Sequence, residues 1–320
     1  MRDVAAFAEF TAHGGRVAAA RARFGGDDWI DLSTGIAPWS WPVTGPLGLE
    51  RLPEPAAIAA LETAAAAAFG VADPARVVAV PGSDLAMRLL APILAAERPA
   101  VRTPGYAGHR AAWPDAEPVA DEPGDHDLFV LASPANPDGR LLDAATAERL
   151  AAAMTLVVDE AYADPAPGLA PRASDRLIVL RSFGKFYGLP GLRLGFVIAG
   201  DRVAAALRAT LGDWPVSSAG IAIGTAAYHD RAWQQAQQQR IVAAGAALDA
   251  LFAAAGLACV GRAPLFRLIA CDDAAALFAT LADHAILTRP FADRADRLRI
   301  GLPPPAAAAR LAAAFEEFRR

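Results

Sequence analysis

The chain has 320 residues, 54% of them hydrophobic and 20% charged, a length natural for two domains and a composition able to bury a sizeable core. A formal net charge of -5 with no long basic run argues against nucleic acid as a partner, and no segment reaches the ~18 uninterrupted apolar residues of a membrane span. Cys259 and Cys271 lack metal-ligand spacing and Met1-Arg2-Asp3 leads into no apolar leader core, so the chain reads as a cytoplasmic enzyme.

Alanine runs such as Ala64 to Ala68 and Ala306 to Ala309 read as helix filler, because leucine, valine and phenylalanine recur among them. The first strand candidate, Arg76 to Val80, runs into Pro81-Gly82-Ser83-Asp84 and a helix over Asp84 to Ala96. A strand near Val101 precedes Thr103-Pro104-Gly105-Tyr106, and the strand Leu128 to Leu131 precedes Asn136-Pro137-Asp138-Gly139. After a helix over Asp143 to Met154, the strand Thr155 to Val158 closes on Asp159-Glu160-Ala161-Tyr162. The strand Leu177 to Leu180 leads into Ser182-Phe183-Gly184-Lys185, and Leu194 to Ile198 is the next strand. Apolar strands alternating with helices predict an α/β fold with a mostly parallel central sheet covered by helices.

Past Trp214-Pro215 the pattern changes to a long helical stretch over Ala219 to Ala255. Strands near Leu265 to Ala270 and Leu298 to Ile300 and helices near Ala274 to Ala282 and Ala306 to Phe318 follow. These predict a smaller α+β C-terminal domain. The expected division is an N-terminal segment over 1–30, a large domain over 31–214 and a small domain over 215–320, with no internal repeat.

Ligands of such sheets bind beyond the carboxyl ends of the strands, where the polar motifs fall. Lys185 lies in a glycine-flanked turn, with the Ser182 hydroxyl three residues before it and Arg193 eight after, able to hold a phosphate. Lysine amines form Schiff bases with aldehydes, and pyridoxal phosphate carries an aldehyde and a phosphate on one ring. Gly82 and Ser83 open a helix, where free amides make an anion site or a plain cap. Taken alone, Tyr106 suits a core tyrosine and Asn136-Pro137-Asp138-Gly139 an ordinary turn. Asp159-Glu160 could bind a metal, but no histidine stands at useful spacing, and no metal is expected.

In this order, the motifs resemble those of fold-type I pyridoxal-phosphate enzymes of the class I/II aminotransferase superfamily, with Gly188-Leu189-Pro190-Gly191-Leu192-Arg193-Leu194-Gly195 completing the lysine motif. The resemblance implies that Lys185 carries the cofactor and that Gly82, Ser83 and Asp84 cradle its phosphate, with Ser182 and Arg193 closing the cradle. Tyr106 would stack on its ring, Asn136 and Tyr162 would share its phenolic oxygen, and Asp159 would face the pyridine nitrogen. A carboxylate at Asp84 suits that cradle only if it is turned away from the phosphate.

A closer likeness lies outside the cofactor motifs. His13-Gly14-Gly15, the stretch Asp31-Leu32-Ser33-Thr34-Gly35-Ile36-Ala37-Pro38 and Leu211-Gly212-Asp213-Trp214-Pro215-Val216-Ser217 resemble the L-threonine-O-3-phosphate decarboxylases, which make the aminopropanol phosphate linker of cobalamin. Arg289 and Arg299 lie in stretches that share this resemblance. It implies a small phosphorylated amino acid as substrate, with Arg299 on its carboxylate, His13, Gly14 and Gly15 with Arg289 or Arg16 on its phosphate, and Ser33, Gly35 and Ile36 orienting it. The branch usually has asparagine at Ala37 and tyrosine at Leu52. A homodimer is implied as well. The alternatives are a histidinol-phosphate-type aminotransferase and a silent cofactor-fold binding protein.

Overall fold

The computed structural model describes residues 4–320; Met1-Arg2-Asp3, on which the leader-peptide reading rests, lies outside the described residues. The chain packs as two compact units. Among the described residues, the smaller comprises 4–39, Pro137–Gly139 and Gln237–Arg320, and the larger comprises Ser40–Asn136 and Arg140–Ala236.

The smaller unit opens with the short helices α1 (Ala8–Thr11) and α2 (Val17–Phe24) and strand β1 (Ile30–Asp31). In its described part, the segment read as an N-terminal arm is integral to this unit. Phe7, Phe10 and Phe24 close on Phe278 at centroid separations of 4.8, 5.4 and 6.2 Å, an aromatic cluster of the kind that dominates core energetics.

Helix α3 (Pro55–Phe69) belongs to the larger unit, with proline at its start and Gly70 (φ 69°) closing it in the left-handed region. Seven strands follow: β2 (Val77–Val80), β3 (Pro99–Arg102), β4 (Glu117–Val119), β5 (Leu128–Ala132), β6 (Thr155–Asp159), β7 (Leu177–Ser182) and β8 (Gly195–Ile198). They form one sheet in the order β2-β8-β7-β6-β5-β3-β4. Pairings from β3 to β7 are parallel, whereas β8 runs antiparallel to β7 and β2. The valine, leucine and isoleucine runs of β2, β5 and β8 are buried along their whole length, as a doubly covered sheet requires. Strand β4 has no counterpart in the sequence reading. It is short and largely exposed, and Pro118 is tolerated there because β4 is an edge strand.

The helices are α4 (Ser83–Leu94), α5 (Ala107–Ala112), α6 (Ala144–Ala153), α7 (Phe183–Phe186), α8 (Asp201–Leu211), α9 (Ser218–His229) and α10 (Arg231–Ala255). The single helix expected over Ala219 to Ala255 is two. Asp230 leaves the helical backbone and its carboxylate accepts the Trp233 amide at 3.0 Å, starting α10 as an N-cap. The change of unit falls inside α10, between Ala236 and Gln237, beyond the boundary read near Trp214.

The edge strand β2 is capped by side chains. Glu62 accepts the Ala79 amide at 2.9 Å, while Arg208 donates to Glu62 at 2.8 Å and to the Val77 carbonyl at 2.8 Å. Backbone groups that would otherwise template another strand are thereby satisfied.

The smaller unit resumes with β9 (Ala258–Ala263), β10 (Phe266–Ala270), α11 (Ala274–Asp283), β11 (Ile286–Leu287), β12 (Arg289–Pro290), β13 (Arg297–Gly301) and α12 (Ala308–Phe318). Its antiparallel sheet runs β12-β13-β10-β9, and β1 pairs with β11 in a separate parallel ladder. The sequence reading passed over β9, whose exposed positions and Gly261 mask it. A Cβ on Gly261 would lie 2.5 Å from the Asp138 carbonyl, so only glycine lets the turn Pro137–Gly139 pack on that strand.

Beneath the larger sheet lies a buried ionic group. Arg181 of β7 is fully buried, with Nε 3.6 Å from Glu160 and Nη1 3.4 Å from Asp164, and its guanidinium covers the Phe69 ring at 4.7 Å. Glu160 also accepts the Leu169 amide at 2.7 Å. One cation serves two buried carboxylates, and burial outweighs its pull, so the Glu160 carboxyl is pushed from 4.5 to about 7. The native state keeps this proton to higher pH than the unfolded chain, so Glu160 makes stability fall as pH rises from about 4.5 to 7. Glu160→Gln removes that contribution. Thermal unfolding midpoints measured at about pH 5 and pH 7.5 should therefore differ less in the variant than in the unaltered chain. An unchanged difference would contradict this account of Glu160.

Candidate functional site

The reversal of β8 decides where the chemistry sits. Strands β2, β5, β6 and β7 end at the carboxyl edge of the sheet, and β8 begins there because it runs the other way. The connection over 183–194 therefore turns at that edge, bringing Lys185 and Arg193 to the loops that follow β2, β5 and β6.

Lys185 lies in α7, between side chains that cannot move freely. Phe183, Phe186 and Tyr187 are buried around it. Phe183 stacks on Tyr187 at 4.3 Å, Tyr187 stacks on Trp233 at 5.6 Å, and Phe186 meets Trp233 edge-on at 5.9 Å. Such aromatic packing fixes the backbone that carries the lysine. The Lys185 amine lies 5.6 Å from the centroid of the buried Tyr162 ring.

An anion corner adjoins this turn. Gly82 has φ 94° and caps the twelve-residue helix α4, which begins at Ser83. A Cβ on Gly82 would lie 2.5 Å from Nη2 of Arg193, and one on Gly195 would lie 2.7 Å from the Ser83 amide. Two glycines thus allow a guanidinium and a helix N-terminus to close on the same place, an arrangement suited to phosphate. Ser182, paired in register with Gly195, makes no side-chain capping bond to α7. Asp84 does not oppose an anion here. Its carboxylate accepts the Tyr106 hydroxyl at 2.9 Å and pairs with Arg88 at 3.6 Å. Burial, and then the charge of Asp84, push the Tyr106 phenol upward, so at neutral pH it keeps the proton it donates.

Asp159 ends β6 with both carboxylate oxygens oriented. Oδ1 accepts the Ala161 amide at 3.1 Å, and Oδ2 lies 3.2 Å from Nε2 of His109. Both side chains are buried. A carboxylate only accepts, so the shared proton belongs to Nε2. Sequence reasoning missed His109; the available signal was its place three residues after Tyr106, whose ring it meets edge-on at 5.6 Å. Asn136 lies in the loop after β5, the last residue of the larger unit before the turn Pro137–Gly139.

A second signal was also overlooked. Lys185 is the only lysine in the sequence, and every other strongly basic side chain is an arginine. Arginine supplies charge but not an amine for Schiff-base chemistry, so this chain has one side chain able to perform it.

These residues fit pyridoxal phosphate. Gly82, Ser83, Ser182 and Arg193 would hold its phosphate, Lys185 its aldehyde carbon, Asn136 and Tyr162 its phenolic oxygen, and Asp159 its ring nitrogen.

The remaining predicted residues gather within the smaller unit. Arg289 and Arg299 stand directly opposite each other across β12 and β13, which puts both guanidinium groups on one face. Arg289 donates to the Ala12 carbonyl at 2.8 Å and Arg299 to the Ser33 carbonyl at 2.5 Å. The turn His13-Gly14-Gly15 follows Ala12, and the Gly15 amide donates to Oγ of Ser33 at 2.8 Å. The Gly15 amide is thus engaged within the protein. Gly35 (φ 63°) and Ile36 continue the chain after Ser33 and Thr34.

Residues 113–315 match the family described as aminotransferase class I and II. The threonine-phosphate decarboxylase of Pseudomonas aeruginosa is 38% identical over 96% of this chain and 98% of its own length. That of a Sinorhizobium species is 38% identical over 92% of this chain and 94% of its own. Among solved structures, the histidinol-phosphate aminotransferase of Sinorhizobium meliloti in complex with pyridoxal-5'-phosphate superposes with a TM-score of 0.79. That match covers 95% of this chain and 94% of the other at 24% identity, and so speaks for the fold alone. With its parallel sheet, its reversed β8 and its single lysine at the carboxyl edge, the chain belongs to the class I and II aminotransferase family and has the fold-type I architecture.

Proposed function

We propose that this protein decarboxylates L-threonine O-3-phosphate to (R)-1-amino-2-propanol O-2-phosphate, with pyridoxal phosphate as cofactor, for the aminopropanol linker of cobalamin. The observation that carries this reading is the cross-strand pair Arg289 and Arg299 beside the His13-Gly14-Gly15 turn. Like charges directly opposite on a sheet repel, and an acidic ligand offsets that repulsion. A substrate with both a carboxylate and a phosphate matches two such groups, and guanidinium forks suit both anions. Two relatives at 38% identity over most of the chain bear the name of this activity.

When bound, pyridoxal phosphate supplies an aldehyde for the amine and a ring that draws electrons from the substrate's α-carbon. The chain's own residues do the rest. Lys185 would hold the cofactor through its aldehyde carbon, and as a free amine it would be the group to deliver a proton to Cα. Asp159, held by His109 and the Ala161 amide, would keep a proton on the ring nitrogen and so maintain the pull on those electrons. Arg299 takes the substrate carboxylate. Arg289, His13 and the Gly14 amide take its phosphate. These contacts would orient the substrate's carboxylate for loss of carbon dioxide.

A homodimer in the cytoplasm is part of the same proposal. Leu49, Leu52 and Trp214 of the larger unit are 69, 65 and 56% exposed, apolar side chains suited to a second copy of the chain. No helix among the described residues is long and apolar enough to cross a membrane.

The test is mass spectrometry of the products after cofactor-loaded protein meets L-threonine O-3-phosphate without any 2-oxo acid. The expected product has lost carbon dioxide and kept its amine, and the Lys185→Ala variant forms none. If instead amine transfer appears only when histidinol phosphate and 2-oxoglutarate are supplied, the decarboxylase reading is wrong and the chain is an aminotransferase.

A further inference from the structure

Ser33 is 1% exposed and joins three parts of the smaller unit. Its hydroxyl donates to Oδ1 of Asp31 at 2.5 Å, and the same Asp31 oxygen accepts the Ser33 amide at 2.8 Å. Oγ also accepts the amide of Gly15 at 2.8 Å, and the Ser33 carbonyl accepts Nη2 of Arg299 at 2.5 Å. The contact with the glycine turn is close. A Cβ on Gly14 would lie 2.5 Å from the Ser33 carbonyl oxygen and 2.8 Å from Oγ.

We infer that Asp31 and Ser33 are positioning residues for phosphate recognition, acting through the His13-Gly14-Gly15 turn; the inference rests on the proposed function of that turn. A serine hydroxyl has one proton to give. Asp31 fixes where that proton goes, which aims an Oγ lone pair at the Gly15 amide. Drawing the proton toward a carboxylate also strengthens Oγ as an acceptor. With its amide, hydroxyl and carbonyl all engaged in this way, Ser33 holds the turn rather than touching substrate. Asp31 is itself fixed because β1 pairs with β11, two residues before Arg289, so the relay shares a frame with the arginine that serves the same phosphate.

The two anion-binding elements lean on different atoms of Ser33. Arg299 uses the backbone carbonyl, which survives any substitution, whereas the glycine turn uses the hydroxyl. Ser33→Ala therefore releases the turn and leaves the arginine held. The readout is the dissociation constant of each ligand, followed by the absorbance of the bound cofactor during titration. Ser33→Ala should weaken binding of L-threonine O-3-phosphate by roughly tenfold, the order expected for one hydrogen bond. Binding of L-threonine, which lacks the phosphate, should change by less than about twofold by the same reasoning. Asp31→Ala should give the same selective loss, and Asp31→Asn, which keeps an acceptor oxygen, should bind like the unaltered chain. Thermal melting confirms that each variant is folded, and the Asp31 variants carry the test if Ser33→Ala fails to fold.

Equal binding of both ligands by the variants and the unaltered chain overturns the inference, as does an equal loss for both, which is what mere structural damage produces. An unaltered chain that shows no preference for the phosphorylated amino acid overturns the functional reading, and the inference falls with it.

Discussion

The direction of one strand governs the larger unit. Because β8 lies antiparallel between β7 and β2, the chain that leaves β7 turns back at once at the carboxyl edge of the parallel strands. That turn holds Lys185, and its end presents Arg193 to Gly82 at the start of α4. A parallel β8 would need a crossover of a dozen or more residues and would carry the arginine to the opposite edge. The short antiparallel return keeps amine and guanidinium together, while the buried aromatic stack of Phe183, Tyr187 and Trp233 holds the turn in one shape.

Orientation by buried hydrogen bonds recurs in both units. Asp159 is aimed by His109 and the Ala161 amide, and Asp84 is drawn aside by Tyr106 and Arg88. In the smaller unit Asp31 orders Ser33, and Ser33 orders the glycine turn. Asp159 and the glycine turn, which would meet a ligand, are thus each held by hydrogen bonds within the protein, and preorganised groups need no rearrangement when charge develops. The Arg181 cluster is different: its carboxylates are buried behind β7, and its effect is on stability through Glu160.

Much of this was legible in the sequence. The strands β2, β5, β6, β7 and β8 are unbroken apolar runs, and a buried parallel sheet leaves no other use for them. Polar residues directly after such runs fall at the sheet edge, which is why Gly82, Asp159, Ser182 and Lys185 were found where a site belongs. Pairings between distant side chains were not legible, because no local pattern encodes them. His109 reaches Asp159 across fifty residues, and the capping of β2 needs Glu62 and Arg208 from separate helices. The engagement of the Gly15 amide by Ser33 depends on tertiary contact in the same way. The break at Asp230 was readable as an N-cap but was hidden inside a continuous helical composition. The solitary lysine required only counting.

The most direct measurement is borohydride reduction of the protein after incubation with pyridoxal phosphate, followed by digestion and mass mapping. Schiff-base chemistry at the carboxyl edge of the sheet predicts the cofactor's added mass on the peptide containing Lys185, in about one copy per chain. No added mass, or added mass confined to the N-terminal amine, would contradict the account.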